Sequence, residues 1–373
     1  MRLRGRVVTP DGVLENATVR VEGDRIAAVT TGVGGRPDLR SAWIVPGFVD
    51  MHCHGGGGYT FTTGDVEQAR GAVDFHRCHG TTTMLASLVT ASRRDTLDQT
   101  TALAELVHSG EIAGIHLEGP YLSTARCGAQ NPAYLRDPST EELSDLIALG
   151  VVRSVTIAPE LPGALDAIAL LRTHDVTAAV GHTDATYEQA LDAVRAGATL
   201  ATHLCNAMRP IHHRDPGPII ALLESTGVVC ETIADGVHLH DAMLRHIARV
   251  AGPDRVALVT DAIAAAGMDD GAYSLGGQEV NVTDGVARLP TSGTIAGSTL
   301  TMTAAFRRAV QSGVSIVDVA RMASTTPARV LGLAGEVGAI APGRRADIAL
   351  LDEDLRVNAV LHHGTIVTDV RVA

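Results

Sequence analysis

Between Trp43 and Asp261 the chain alternates short runs of apolar, β-branched residues with longer stretches in which apolar residues recur every three or four positions. The first kind of run suits a strand buried on both faces, the second a helix laid against a sheet. The strand-like runs are Trp43–Asp50, Thr83–Leu88, Ile112–Glu118, Val152–Ile157, Val176–Gly181, Thr199–Leu204, Val228–Ile233 and Val256–Asp261, eight in all. Helical patterns occupy Val66–His79, Thr96–Ser109, Glu141–Leu149, Gly163–His174, Tyr187–Ala196, Gly217–Ser225, Asp241–Val250 and Leu300–Gln311. Such alternation predicts an α/β fold with a mainly parallel sheet covered by helices. Eight repeats make a closed (β/α)8 TIM barrel the economical solution, with a doubly wound open sheet left as the alternative.

The two ends have a different texture. Arg4–Val8, Ala17–Val21 and Ile26–Thr30 read as short strands separated by Asp11-Gly12 and Glu22-Gly23-Asp24 turns. Asp347–Asp352, Val357–His362 and Ile366–Val370 repeat that texture, with a His363-Gly364 turn between the last two. Neither end is long enough to enclose a core alone. The expected organisation is one small β-rich domain from residues 1–42 and 335–373, and a barrel from residues 43–334.

The 373 residues are 45% hydrophobic but only 3% aromatic, so the core is expected to be Val, Leu, Ile and Ala, and extensive disorder is not expected. Thirty basic against 42 acidic residues give a net charge of -12 without any basic block, which argues against nucleic acid as a partner. The first residues lack the apolar stretch of a secretory signal, and no run of eighteen apolar residues suggests a membrane span. Five cysteines at 53, 78, 127, 205 and 230 form no CxxC pair. A cytoplasmic protein with free thiols is therefore expected.

The barrel reading places chemistry at the strand ends. His52 and His54 follow the first strand, Glu118 ends the third, His182 follows the fifth, His203 lies in the sixth and Asp261 ends the eighth. Groups at the C-terminal ends of different barrel strands converge despite long separations in sequence. In extended backbone, His52 and His54 point to one face and can share a cation. Four histidines with one or two carboxylates favour Zn2+ or another first-row metal over Mg2+. Singly, each has a plainer role available: the histidines as a surface or hydrogen-bonded pair or as core groups, Glu118 as an Arg partner or helix cap.

The segments Pro46-Gly47-Phe48-Val49-Asp50-Met51-His52-Cys53-His54-Gly55, His116-Leu117-Glu118-Gly119-Pro120, Gly181-His182-Thr183, Thr202-His203-Leu204-Cys205-Asn206-Ala207-Met208 and Thr260-Asp261-Ala262-Ile263 resemble those of the amidohydrolase superfamily. Within it they are similar to the family of N-acetylglucosamine-6-phosphate deacetylases. That similarity continues through Ala234-Asp235-Gly236-Val237-His238, Gly297-Ser298-Thr299-Leu300-Thr301-Met302, Thr326-Pro327-Ala328-Arg329 and Pro342-Gly343-Arg344-Arg345-Ala346-Asp347. The resemblance implies a barrel with a small β-sandwich built from both termini, and a homodimer. It implies one or two divalent ions per subunit, most simply Zn2+: Glu118, His182 and His203 for one, and His52 and His54 with Glu118 and Asp261 for a second. The implied reaction is hydrolysis of the N-acetyl amide of N-acetylglucosamine 6-phosphate, with Asp261 as general base and then as proton donor to the leaving amine.

By the same carry-over Asn206, Ala207, Arg214 and His238 form the substrate-binding neighbourhood, with Arg214 suited to a phosphate by its forked donors. Gln130 stands where several relatives carry a His that contacts the substrate carbonyl; it can donate a neutral hydrogen bond but cannot act as an acid. Cys127 shares that loop, either as an incidental thiol or as part of the pocket. Cys53 and Cys205 are expected to turn away from the metal. The Gly55-Gly56-Gly57-Gly58 run is expected to clear space above it. Two alternatives remain: an amidohydrolase acting on another N-acyl or cyclic amide, and a catalytically inactive, metal-stabilised binding protein.

Overall fold

A computed structural model describes residues 1–32 and 35–369. Eight parallel strands, Phe48–Asp50, Thr81–Val89, Gly114–Glu118, Val152–Ile157, Thr177–Val180, Leu200–Ala201, Val229–Ile233 and Val256–Val259, pair side by side in chain order. Beyond the last strand the Asp261 amide donates to the His52 carbonyl (2.8 Å) and the His54 amide to the Ala262 carbonyl (2.7 Å). Those bonds bring the eighth strand back beside the first, and the barrel is nearly closed. Thr81–Val89 and Val256–Val259 are buried at every position, as parallel strands covered by helices must be.

Helices Val66–Cys78, Arg93–His108, Thr140–Ala148, Ala164–Thr173, Tyr187–Ala196, Gly217–Glu224, Asp241–Ala251 and Met302–Gln311 form the outer layer. Asp65, Ser92, Ser139, Thr186 and Thr301 each accept a first-turn backbone N–H, satisfying donors that have no partner within the helix. A further helical stretch, Ile316–Ala320 running on to Thr326–Val330, was not legible in the sequence pattern. It contains a π-helical turn at Arg321–Thr325, just before Pro327, whose missing N–H interrupts the regular ladder.

The chain ends meet in one seven-stranded mixed sheet, ordered Thr365–Asp369, Val357–His362, Ile348–Leu351, Leu39–Pro46, Arg2–Thr9, Gly12–Glu22 and Arg25–Thr31. The Ile26 amide donates to the Arg344 carbonyl (2.9 Å), drawing the Arg25–Thr31 edge towards the C-terminal strands. The sheet thus curls, sandwich fashion, around Leu3, Val19, Ile26, Ile44, Ile348, Leu350 and Leu361, a core separate from that of the barrel. Val370, the last residue of the expected strand Ile366–Val370, lies outside the described residues.

The single strand expected over Trp43–Asp50 is two. Leu39–Pro46 pairs with Arg2–Thr9 and Ile348–Leu351 in the terminal sheet, whereas Phe48–Asp50 opens the barrel. Gly47 is the joint: a Cβ there would stand 2.3 Å from Thr82 Oγ1, so only glycine lets the chain pass from one sheet to the other. The terminal sheet consequently takes residues through Pro46. Between the eighth strand and its helix lies a three-stranded antiparallel insert, Gly271–Leu275, Gln278–Thr283 and Val286–Arg288, that the sequence reading did not assign. Among the described residues no helix is long and apolar enough to cross a membrane.

Leu350 is 1% exposed at the centre of the terminal sheet's core. Leu350→Ala is expected to cost about 2–5 kcal/mol through lost burial and an unfilled cavity; calorimetry or denaturant unfolding would read it as a lowered transition.

Candidate metal centre

The strand exits set the positions of the six ligand-type side chains. His182, His203 and Asp261 each lie two residues beyond the last residue of their strands and adopt left-handed backbone, with φ of 46°, 28° and 50°. Non-glycine residues seldom do so, and the conformation turns these side chains over the barrel mouth. Glu118 ends the third strand and stands between two groups. His52, His54, Glu118 and Asp261 form one, and Glu118, His182 and His203 the other.

The distances are short. Glu118 Oε1 lies 2.9 Å from His203 Nε2 and 3.1 Å from His182 Nε2, while its Oε2 is 3.1 Å from His54 Nε2. Asp261 Oδ1 lies 3.2 Å from His54 Nε2 and 3.5 Å from His52 Nε2. The distal ring nitrogens are also held: His54 Nδ1 by the Ser87 carbonyl (3.1 Å), His182 Nδ1 by the Arg126 carbonyl (2.9 Å) and His52 Nδ1 by Glu231 (3.2 Å). A carbonyl only accepts, so in the neutral rings of His54 and His182 the proton sits on Nδ1 and the Nε2 lone pair faces inward.

That arrangement tests the fit of a cation. His52 Nε2 and His54 Nε2 face each other at 3.2 Å, and His182 Nε2 and His203 Nε2 at 3.1 Å, around buried carboxylates. Two nitrogens on one tetrahedral zinc, each about 2.0–2.1 Å from it, stand roughly 3.3 Å apart. The residues fit a divalent metal. Titration points the same way. Burial would raise the Glu118 carboxyl, but His52 and the bonds from His182 and His203 hold it well below the usual carboxylate range. Burial would lower His54, yet Asp261 and Glu118 raise it to about 9. The two carboxylates thus demand positive charge at this point, whether as protons or as a metal ion.

Above the cluster is a cavity of about 480 Å³. Gln130, Asn206, Ala207 and His238, four of the residues expected to bind substrate, line it together with Arg126 and Cys127. Gln130 has a defined orientation: its Oε1 accepts from the Thr90 amide (2.8 Å), which turns its Nε2 to donate to Glu118 Oε2 at 2.7 Å. His238 Nδ1 is bound by Asp235 at 2.7 Å. Arg214 is placed differently. It is exposed on a turn, its guanidinium 2.7 Å from His213 Nε2, and is not part of this chain's cavity wall.

Comparison with known proteins agrees with this geometry. The amidohydrolase family profile matches residues 43–369. The chain belongs to the amidohydrolase family. A structure of N-acetyl-D-glucosamine-6-phosphate deacetylase from Mycobacterium smegmatis, an aspartate-to-alanine mutant in complex with N-acetyl-D-glucosamine 6-phosphate, is 47% identical with a TM-score of 0.96, over 99% of each chain. N-acetylglucosamine-6-phosphate deacetylase from Thermotoga maritima gives a TM-score of 0.89 at 34% identity, over 98% of this chain and 99% of that one. N-acetylgalactosamine-6-phosphate deacetylase from Escherichia coli O157:H7 is 35% identical across 96% of this chain and 97% of its own.

Three features of this amidohydrolase's site were not found from its sequence. Glu231, 1% exposed on the seventh strand, accepts from His52 Nδ1 and also, at 3.2 Å, from the His203 amide. A lone carboxylate within an otherwise apolar strand run was the available signal. Asp50 accepts from Thr260 Oγ1 (2.6 Å) and ties the first strand's exit to the eighth's; burial raises its carboxyl to about 6. The glycine run has a different purpose from the one expected. Gly55–Gly56 pairs with Tyr59–Thr60, and a Cβ on Gly56 would meet Phe75 at 2.5 Å and His76 Nε2 at 2.6 Å, so the clearance is for the first helix. Cys53 Sγ lies 3.2 Å from that same His76.

Because Glu231 orients His52 and raises its basicity, Glu231→Gln is expected to weaken metal binding about 10–100-fold. A competition titration against a chelator of known affinity would measure it.

Proposed function

We propose that this amidohydrolase removes the N-acetyl group of N-acetylglucosamine 6-phosphate, giving glucosamine 6-phosphate and acetate. One observation carries the reading: a metal-binding cluster floors the cavity of a chain 47% identical, over 99% of its length, to a deacetylase solved with that sugar phosphate bound. The E. coli relative favours a second reading, in which the substrate is the galactosamine epimer.

His52, His54, Glu118, His182, His203 and Asp261 would hold one or two divalent ions, and their nitrogen-rich donor set supports Zn2+. When bound, such an ion lowers the pKa of water and polarises the amide carbonyl. Burial acts to raise Asp261, but His52 and His54 bring it down to about 2, so its carboxylate is ionised and able to accept a proton from attacking water. The same carboxyl returns that proton to the departing sugar nitrogen, which cannot leave as an amide anion. Gln130, through Glu118, keeps the cluster's central carboxylate in register.

Asn206, the Ala207 backbone and His238 orient the sugar phosphate. Burial acts to lower His238, but Asp235 outweighs it and raises the imidazole, favouring the cationic form that suits a phosphate. A homodimer is part of this reading: exposed Arg214, with Ile211 45% exposed beside it, would reach the cavity of a second subunit. Five free cysteines support a cytoplasmic setting.

The decisive measurement is amine release by metal-quantified protein from N-acetylglucosamine 6-phosphate, its galactosamine epimer and unphosphorylated N-acetylglucosamine. The chain has no lysine, which keeps the protein's own amine background low. A strong preference for a phosphorylated substrate is expected, and no turnover with a filled metal centre would overturn the proposal. Asp261→Asn is expected to lower kcat about 10²–10⁴-fold with metal still bound, as loss of a general acid–base group does. For Arg214→Ala the expected change is a KM about 10–100-fold higher for the phosphorylated substrate, the scale of one charge-assisted bond; an unchanged KM would remove Arg214 from the phosphate contact.

A further inference from the structure

The cavity has two unlike walls above the metal cluster. Arg126 and Asn206, bonded to the His182 ring and the His203 carbonyl, line the cavity with His238 as polar groups, while Ala129 and Leu275, packed in one apolar cluster with Val89 and Ile263, line it with Ile295. An amide whose carbon sits over the cluster beside Asp261 has two substituents to place. The sugar, with its hydroxyls and phosphate, needs hydrogen-bonding partners, so its chemistry matches the polar wall. The acyl chain is then left to the apolar one. That wall reaches the reacting centre: a Cβ on Gly297, two residues beyond Ile295, would lie 3.7 Å from Asp261 Oδ1.

Leu275 is held firmly in place. It is 6% exposed and packs in a cluster with Val89, Ile263 and Val280. It precedes a two-residue hairpin turn, Gly276-Gly277, whose φ values of +55° and +79° suit paired glycines. The turn is seated on the barrel, since a Cβ on Gly276 would come within 2.4 Å of Val89 Cγ2. Gln278 Nε2, just past the turn, donates to the Ala129 carbonyl and fastens two parts of the wall together.

We propose that this hairpin tip gauges the length of the N-acyl group, and that Leu275 is the specificity-determining residue. The proposal rests on the deacetylase reading above. An acetyl methyl fits against the wall, and each further methylene must displace a side chain that its neighbours hold. In hydrophobic pockets one methylene changes discrimination about 10–200-fold.

The test compares kcat/KM for the N-acetyl, N-propionyl and N-butyryl derivatives of glucosamine 6-phosphate. The native protein is expected to lose efficiency with each added carbon. Leu275→Ala is expected to raise the butyryl-to-acetyl ratio about tenfold or more; a general loss of activity cancels in that ratio. Leu275→Val, which keeps most of the packing against Val89, is expected to shift it part of the way and serves if the alanine variant does not fold. Acetyl turnover by the native protein with an unmoved ratio in the folded variant overturns the gauge alone. Absence of turnover on all three substrates by the metal-filled native protein overturns the deacetylase reading and the gauge together.

Discussion

A single buried carboxylate organises this molecule. Glu118, 3% exposed, has ring nitrogens of His54, His182 and His203 within 3.1 Å of its oxygens and His52 Nε2 at 3.4 Å. An ionised carboxylate so far from water is tolerable only with compensating charge and donors on every side. The barrel mouth supplies them from the exits of three other strands, and Gln130 adds a neutral donor from a loop. The imidazoles of His54, His182 and His52 are held in turn by the Ser87 carbonyl, the Arg126 carbonyl and Glu231. Remove any of those supports and a ring is free to rotate its lone pair away from the centre.

The bonds that close the barrel and the bonds that build the site are largely the same. The Asp261 amide on the His52 carbonyl joins the last strand to the first, and the two residues so joined both belong to a cluster able to hold a cation. Asp50 reinforces that seam by accepting from Thr260 below it. Shear between the first and eighth strands would therefore appear at once as a change in ligand spacing. The left-handed backbone at His182, His203 and Asp261 belongs to the same economy: conformations that cost about 1–3 kcal/mol each persist only because the surrounding structure over-determines them.

Much of this was legible in sequence because a parallel barrel leaves a strong trace. Val152–Ile157 and Tyr187–Ala196 have the expected bounds, and the His-x-His pair and Glu118 mark strand exits that the alternation had already located. What stayed hidden depends on contacts between distant segments. An apolar run reads the same on either side of Gly47, although it changes sheets there. Glu231 looks like any strand charge until His52, 179 residues away, is seen against it. The insert carries a period-two pattern and a Gly276-Gly277 turn, but its place over the cavity comes from packing on Val89 and Ile263. Arg214 has the chemistry of an anion ligand and a position outside the lining of the cavity.

The mixed sheet made from both ends bears on how the protein comes into being. Leu39–Pro46 leads directly into the first barrel strand, yet one of its two partners, Ile348–Leu351, is synthesised some three hundred residues later. Until that segment leaves the ribosome, Leu39–Pro46 presents an unpaired edge, while the eight βα units can already dock on one another as they emerge. Contacts of such long sequence separation form slowly, since the loop must close before any of them is made. Assembly of this sheet therefore waits for Ile348–Leu351 and the strands after it, which cover an edge formed much earlier in the chain.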